Sequence, residues 1–365
     1  MTALERPIRV VARSLEGMQK EAVVDVGTAA WRMASDEGPY LEGTDLAPFP
    51  LAFFTAGMQF SFLSQLRQLS EKAGIVLRAA ELVQDNYYSM EGSFLRGDAM
   101  GGAKPAELEL RLEADGSPGA IARLVRLAHR SYPAHAVMRD PLSNTFVLVH
   151  RGRSLPLEGL PPSPEPRESL ERAESPLDGT AAIEKIASAE VVHGVPGGAG
   201  TSLAPEQRRS LHIHGEARLL EGLRMETTVR LFKPIGSTFR FQSDETPESG
   251  GGGAAPPPLA YLCAGVAFCF LTQLGRYARI KRISLDSYAV SQHAAFGFGG
   301  SREDESLESR VSPFDTQVFL EGDLAEDEAR DLVRMGERTC FLHASMRGAF
   351  PSLLVAELRG EPLAI

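Results

Sequence analysis

Hydrophobic and polar positions change rhythm along the chain, and that rhythm predicts its elements. Thr227–Phe232 and Thr238–Gln242 alternate apolar and polar residues, the two-residue period of half-buried strands, with a turn at Lys233–Gly236 between them. A Gly/Pro-rich stretch, Thr246–Pro257, leads into a dense apolar run from Leu259 to Leu274. This run reads as a core helix opening at Pro258, because proline is tolerated in a first helical turn. A long strand is expected from about Ile283 to Gln292 and another at Thr316–Leu320. An amphipathic helix follows from near Ala325, its acidic first turn suited to the positive end of the helix dipole. A short helical segment after Cys340 and a strand at Leu353–Leu358 close the series.

The same series occurs twice. PLAFFTAGMQFSFLSQL from Pro50 matches PLAYLCAGVAFCFLTQL from Pro258 at an offset of 208, and LVRLAHRSYPAHAVMR from Leu124 matches LVRMGERTCFLHASMR from Leu332 at the same offset. SDE at Ser35–Glu37 repeats at Ser243–Glu245, again 208 apart, while ARSLEGMQKE from Ala12 matches ARLLEGLRME from Ala217 at 205. The three-residue difference belongs to a strand connection, where insertions are tolerated. The chain therefore divides into a first α+β module, residues 1–150, a connecting segment, 151–205, and a second module, 206–365. The connection carries six prolines between Pro156 and Pro176 among Ser and Glu, the composition of a flexible linker. Ile183–Ala189 is expected to form a short helix, and the glycine runs Gly197–Gly200 and Gly250–Gly253 lack the Lys-Ser/Thr of a phosphate loop.

Composition narrows the function. A net charge of −10 repels polyanions and argues against nucleic acid or an anionic membrane as partner. The apolar run is shorter than the ~20 residues that span a bilayer, and the N-terminus shows no signal peptide, so a cytoplasmic protein is expected. Three cysteines, Cys263, Cys269 and Cys340, do not make a disulfide framework, and their spacing is wrong for zinc. Cys269 falls mid-helix. Cys340 falls 71 residues later, where a new helical turn begins and the helix dipole favours a thiolate. Free cysteines on apolar helices are nonetheless mostly small buried hydrophobes. Cys263, with Thr55 as its counterpart, is read that way.

Pro258, an apolar helix with Cys269 eleven residues on, and Cys340 in CFLHASMR together resemble the OsmC/Ohr proteins, the osmotically inducible and organic-hydroperoxide-resistance family. FRFQSDETPESGGGGAAPPP, ahead of the helix, resembles that family's strand-to-helix loop. The resemblance implies an α+β fold in which curved, mostly antiparallel sheets flank long central apolar helices. It also implies a dimer, here an intramolecular pseudo-dimer of the two modules, with further oligomerisation left open. Cys269 would be the peroxidatic thiol and Cys340 the resolving one, acting on a small organic hydroperoxide and regenerated by an external dithiol of lipoyl type. No cofactor or metal is called for.

The pattern departs from the family in two ways. Ser61 and Tyr132 replace the two cysteines in the first module, so only the second keeps the thiols. The glutamate that the family carries ten residues before the first cysteine falls on Leu259, and on Leu51 in the other module. A cation beside Cys269 would favour its thiolate. Arg218, Arg224 and Arg240 on the preceding strands, with Arg32 and Arg13 in the first module, are candidates that spacing alone does not separate. His135/His343, Arg130/Arg338 and Arg139/Arg347 recur in both modules, and persistence where the cysteines are lost assigns them to hydrogen bonding or helix capping. His212 and His214 alternate onto one strand face but lack a third metal ligand in the sequence. The reading is a thiol peroxidase; the alternative is a non-catalytic binding or redox-sensing protein on the same fold.

Overall fold

The computed structural model describes residues 6–164, 170–189 and 207–365, and the same succession of elements occurs twice along it. The first half contains β1 (Arg6–Ser14), β2 (Lys20–Asp25), β3 (Ala30–Ser35), α1 (Pro50–Lys72), β4 (Leu77–Gly92), β5 (Met100–Ala103) and β6 (Glu107–Ala114). It ends with α2 (Pro118–Ser131), α3 (Ala136–Arg139), β7 (Thr145–His150) and β8 (Arg153–Leu155). Two short strands follow, β9 (Leu177–Asp178) and β10 (Ile183–Ala187). The second half repeats the order: β11 (Gln207–Leu219), β12 (Met225–Lys233), β13 (Thr238–Ser243), α4 (Pro258–Lys281), β14 (Ser287–Gly299), β15 (Glu308–Val311) and β16 (Asp315–Glu321). It closes with α5 (Glu326–Thr339), α6 (Phe341–Arg347), β17 (Leu353–Leu358) and β18 (Glu361–Leu363).

The halves do not lie side by side. One sheet runs β8-β7-β16-β14-β1-β2-β3-β9, the other β10-β13-β12-β11-β4-β6-β17-β18, with β15 on β14 and β5 on β4. Each sheet thus joins the N-terminal meander of one half to the middle strands of the other. The seams are antiparallel, Val10 opposite Gln292 in one sheet and Gly215 opposite Gln84 in the other.

Between the sheets lie α1 and α4, buried along most of their lengths. By length and hydropathy α4 is apolar enough to cross a membrane, but it is wholly covered by the fold. The helices touch at two glycines. A Cβ on Gly57 would sit 2.5 Å from the Leu262 amide nitrogen, and one on Gly265 would sit 2.7 Å from that of Phe54. Only glycine allows backbones this close.

Two expectations need correction. Ile183–Ala189 is not a helix: Ile183–Ala187 pairs antiparallel with β13 at the sheet edge, where unpaired backbone groups outweigh the weak helicity of so short a segment. The strand expected from Ile283 begins at Ser287, because α4 runs to Lys281 and ends in a left-handed Arg282 (φ 58°). The glycine run Gly197–Gly200 lies outside the described residues.

Candidate active site

The fold brings Cys269 and Cys340 together. Cys269 projects from the middle of α4, and Cys340 joins α5 to α6 as the residue capping the N-terminus of α6. Both are free and buried, 2% and 0% exposed. The Cys340 thiol lies within hydrogen-bonding reach of the Cys269 sulfur. Burial pushes the Cys340 pKa well up and the contact with Cys269 pushes it further, while the amides of His343 and Leu342 pull weakly the other way. Cys340 therefore keeps its proton at neutral pH and donates it toward its neighbour.

Buried charges surround the pair. Arg209, 3% exposed at the start of β11, lines the Cys269 pocket and lies under Tyr40 and Phe341, its guanidinium 5.8 Å from each ring centroid. Its Nε and Nη1 are buried without hydrogen-bond partners. Burial pulls its pKa down, while Tyr40, Glu37 and Cys269 oppose that shift. Lys20 on β2, 1% exposed, is depressed by burial and supported by Glu37, Asp36 and Cys269. Arg276, two turns beyond Cys269 on α4, is pulled down to about 9 by burial and then by Arg209.

The carboxylates come from the first half. Glu37 Oε1 accepts from the Thr272 hydroxyl at 3.0 Å and Oε2 from the Tyr40 hydroxyl at 2.6 Å. Asp36 is occupied in holding its own loop, taking the amides of Thr44 and Leu46 at 3.1 Å. Lys20, Arg209 and Arg276 thus stand against Asp36 and Glu37, one positive charge in excess where Cys269 sits. Such a surplus favours negative charge that develops on a group bound there.

Tyr88 on β4 completes the surroundings. Its hydroxyl is buried without a partner and feels both sulfurs, and burial pushes its pKa far above the usual range. The cavity beside Cys269 measures about 20 Å³, room for one water-sized group, and its walls include Leu51, Leu211, Leu231 and Phe341.

The cations expected from sequence lie elsewhere. Arg218 pairs with Glu226, Arg240 with Glu184, and Arg32 with Glu21 and Asp178, all on the surface. Arg13 also pairs with Glu21, and Arg224 is exposed in the β11–β12 turn. Sequence reasoning missed Arg209, although the β11 alternation signals it. Residues 209, 211, 213, 215 and 217 point inward and Arg218 outward. Glu37 was marked only as part of the repeated SDE; it lines the Cys269 pocket beside Leu51, whereas Leu259 lines the cavity of Ser61.

At the equivalent place in the first half, Ser61 Oγ accepts from the Ala134 amide at 3.1 Å, and the buried Tyr132 hydroxyl meets Ser352 at 3.0 Å. Cys263 is 1% exposed, in keeping with packing. His135 and His343 depart from the expected hydrogen bonding: no ring nitrogen of either has a partner. His135 stacks on Tyr132 at 5.0 Å and His343 packs on Phe146 at 5.4 Å, aromatic contacts replacing polar ones. The shared arginine does bond: Arg347 reaches the Glu337 backbone carbonyl at 3.0 Å and its carboxylate at 2.5 Å. His212 and His214 gain the third group that the sequence did not place beside them, Asp85 on the neighbouring β4. Its Oδ1 lies 2.5 Å from His212 Nε2 and 2.9 Å from His214 Nδ1, and the three ligand atoms fall within 4.8 Å of one another.

Strand-exchanged sheets around two apolar helices, with paired thiols beside one of them, define a thiol-bearing α+β class. Residues 250–352 match the family model described as OsmC-like protein. Among solved structures, an OsmC-like hydroperoxide resistance protein from Jannaschia sp. CCS1 is 22% identical, covering 36% of this chain and 81% of that one, with a TM-score of 0.23. An organic hydroperoxide resistance protein OsmC from Legionella pneumophila is 21% identical over 38% and 96% of the two chains (TM-score 0.24). A putative organic hydroperoxide resistance protein from Vibrio cholerae O1 biovar eltor, with captopril bound in one of its active sites, is 20% identical over 37% and 85% (TM-score 0.23). No curated protein matches the chain.

Proposed function

We propose that the protein is a thiol-dependent peroxidase for small organic hydroperoxides, its two halves acting as an intramolecular pseudo-dimer with one working site. The observation that carries this reading is the contact between Cys269 and Cys340 inside a pocket with surplus buried positive charge. The Cys269 thiolate attacks the terminal oxygen of the hydroperoxide. The O–O bond breaks, two electrons pass from sulfur to the leaving alkoxide, and the alkoxide leaves as an alcohol on taking a proton. In this reading Arg209, with donors to spare, stabilises the charge that develops on the oxygens, and the unpartnered Tyr88 hydroxyl supplies the proton. The sulfenic acid on Cys269 is then attacked by Cys340, releasing water and forming a disulfide. An external dithiol returns two electrons and two protons.

Turnover of cumene hydroperoxide with dihydrolipoamide as reductant tests this. Wild-type protein should consume peroxide and Cys269→Ser should not; absence of turnover at every pH between 6 and 9 would sink the proposal. A second reading, redox sensing without turnover, draws on the cavity of about 20 Å³, which holds little more than a peroxide oxygen pair. It predicts a single oxidation to the Cys269–Cys340 disulfide, seen by mass spectrometry, with no catalytic cycle.

A further inference from the structure

The place of the lost thiol is not filled in. Beside Ser61 lies a cavity of about 290 Å³, against about 20 Å³ beside Cys269. That volume falls at the small end of ligand-binding pockets. Its walls are apolar, among them Ile8, Val26, Pro133, Pro258 and Leu259, and its polar groups gather round Ser61, Ser64 and Gln65 on α1.

The charges have changed as well. Glu245, the counterpart of Glu37, is kept: it is 7% exposed, lines the cavity and accepts from the Ser64 hydroxyl at 2.5 Å, as Glu37 accepts from Thr272. The cations are not kept. Met225 stands for Lys20 and Gln68 for Arg276. Among the described residues, what remains is Glu245 within and Glu248 at the rim against Arg6, with Asp244 engaged by the amides of Gly252 and Ala254 at 3.1 Å. The cysteine pocket carries surplus positive charge; this one carries surplus negative charge. Burial pushes the Glu245 pKa up, with Ser64 and Arg6 opposing.

We propose that the cavity beside Ser61 is a binding site for a small hydrophobic primary amine. Its ammonium group would be held by Glu245, and its apolar body would lie against Ile8, Pro258 and Leu259. The site needs no thiol and works independently of the peroxidase chemistry. An ammonium restores the positive charge that the thiol site draws from Lys20 and Arg276. An apolar body recovers the hydrophobic contact that an empty pocket forgoes. A carboxylate ligand would meet the wrong sign.

The chain offers its own reporter. Trp31, its only tryptophan, lines an adjoining recess that shares Thr28, Thr246, Glu248 and Pro257 with the cavity. Titration of the full chain with 2-phenylethylamine should change Trp31 fluorescence and saturate below about 1 mM. 2-Phenylethanol and phenylacetate, of the same shape, should bind at least about tenfold more weakly. Glu245→Gln should lose about tenfold or more in amine affinity, the loss expected when a charge-assisted hydrogen bond goes. Leu259→Phe should block binding by filling the space, and Gln65→Leu serves as second variant should that chain fold poorly. Equal binding of the amine, alcohol and acid, full amine affinity in a folded Glu245→Gln protein, or no saturation with the amine would overturn the proposal, whatever the outcome of the peroxidase assay.

Discussion

Acid should loosen this fold through two histidines that are buried without hydrogen bonds. His135 is 4% exposed and His343 0%, and burial, aided by neighbouring positive charge, depresses both to about 3. The folded value therefore lies below that of the unfolded chain, about 6.5. Above pH 6.5 both states are neutral and no stability is lost. As the pH falls from 6.5 toward 3 only the unfolded chain takes up the proton, and each histidine removes about 1.4 kcal/mol per pH unit. Between pH 8 and 5 that amounts to about 2 kcal/mol each, roughly 4 kcal/mol for the pair. Because their ring nitrogens have no partners, replacing both with leucine breaks no hydrogen bond. Urea denaturation followed by circular dichroism at pH 8, 7, 6 and 5 should show wild-type stability falling faster than that of His135→Leu/His343→Leu. The gap should widen by about 4 kcal/mol at pH 5. Parallel curves, with the gap constant within about 1 kcal/mol, would refute the claim that these rings are protonated only on unfolding.

The remaining predictions concern the charges and the helix contact. Arg209→Gln should slow oxidation of Cys269 by hydroperoxide about tenfold or more at pH 7, because the unpartnered donors of Arg209 face the charge that develops on the peroxide oxygens; stopped-flow rates check this. Gly57→Ala or Gly265→Ala forces a methyl group to within 3 Å of the facing backbone and should cost about 1–3 kcal/mol or more in denaturant unfolding. His214 is held above its ordinary pKa by its bond to Asp85, so the stability it contributes is full below about pH 6.5 and fades as pH rises through its folded value. In NMR titrations its ring should titrate above 6.5 in the wild type and return toward that value in Asp85→Asn.

Much of this architecture could be read from residue pattern. The offset of 208 placed Ser61 under Cys269 and Tyr132 under Cys340, and the apolar run from Leu259 became a core helix. The meeting of the two thiols followed from the family resemblance, not from spacing. Arg209 was legible in principle, since it shares the inward parity of Leu211 and Ile213. Arg218, nine residues further along the same strand, has the opposite parity and points outward. Glu37 was harder to find. Its role depends on β1–β3 crossing to the sheet of the other half, and hydrophobic alternation states which face a strand buries, not which strand it joins. The same gap hid Asp85 from His212 and His214, which meet only because β11 pairs with β4.

That exchange of strands also sets a timetable for biosynthesis. β1 finds its neighbour in β14 and β4 in β11, so the first half leaves the ribosome with open sheet edges that its own residues do not close. Long-range pairing of this kind is slow and leaves unpaired edges exposed meanwhile. A nascent chain halted before Ser287 should therefore remain open to protease along β1–β3, while β4 already has its partner β11, and completion of β14 should close the remaining seam. The tether between the halves keeps the missing edge at high local concentration, so a partner is always at hand without a second polypeptide having to be found.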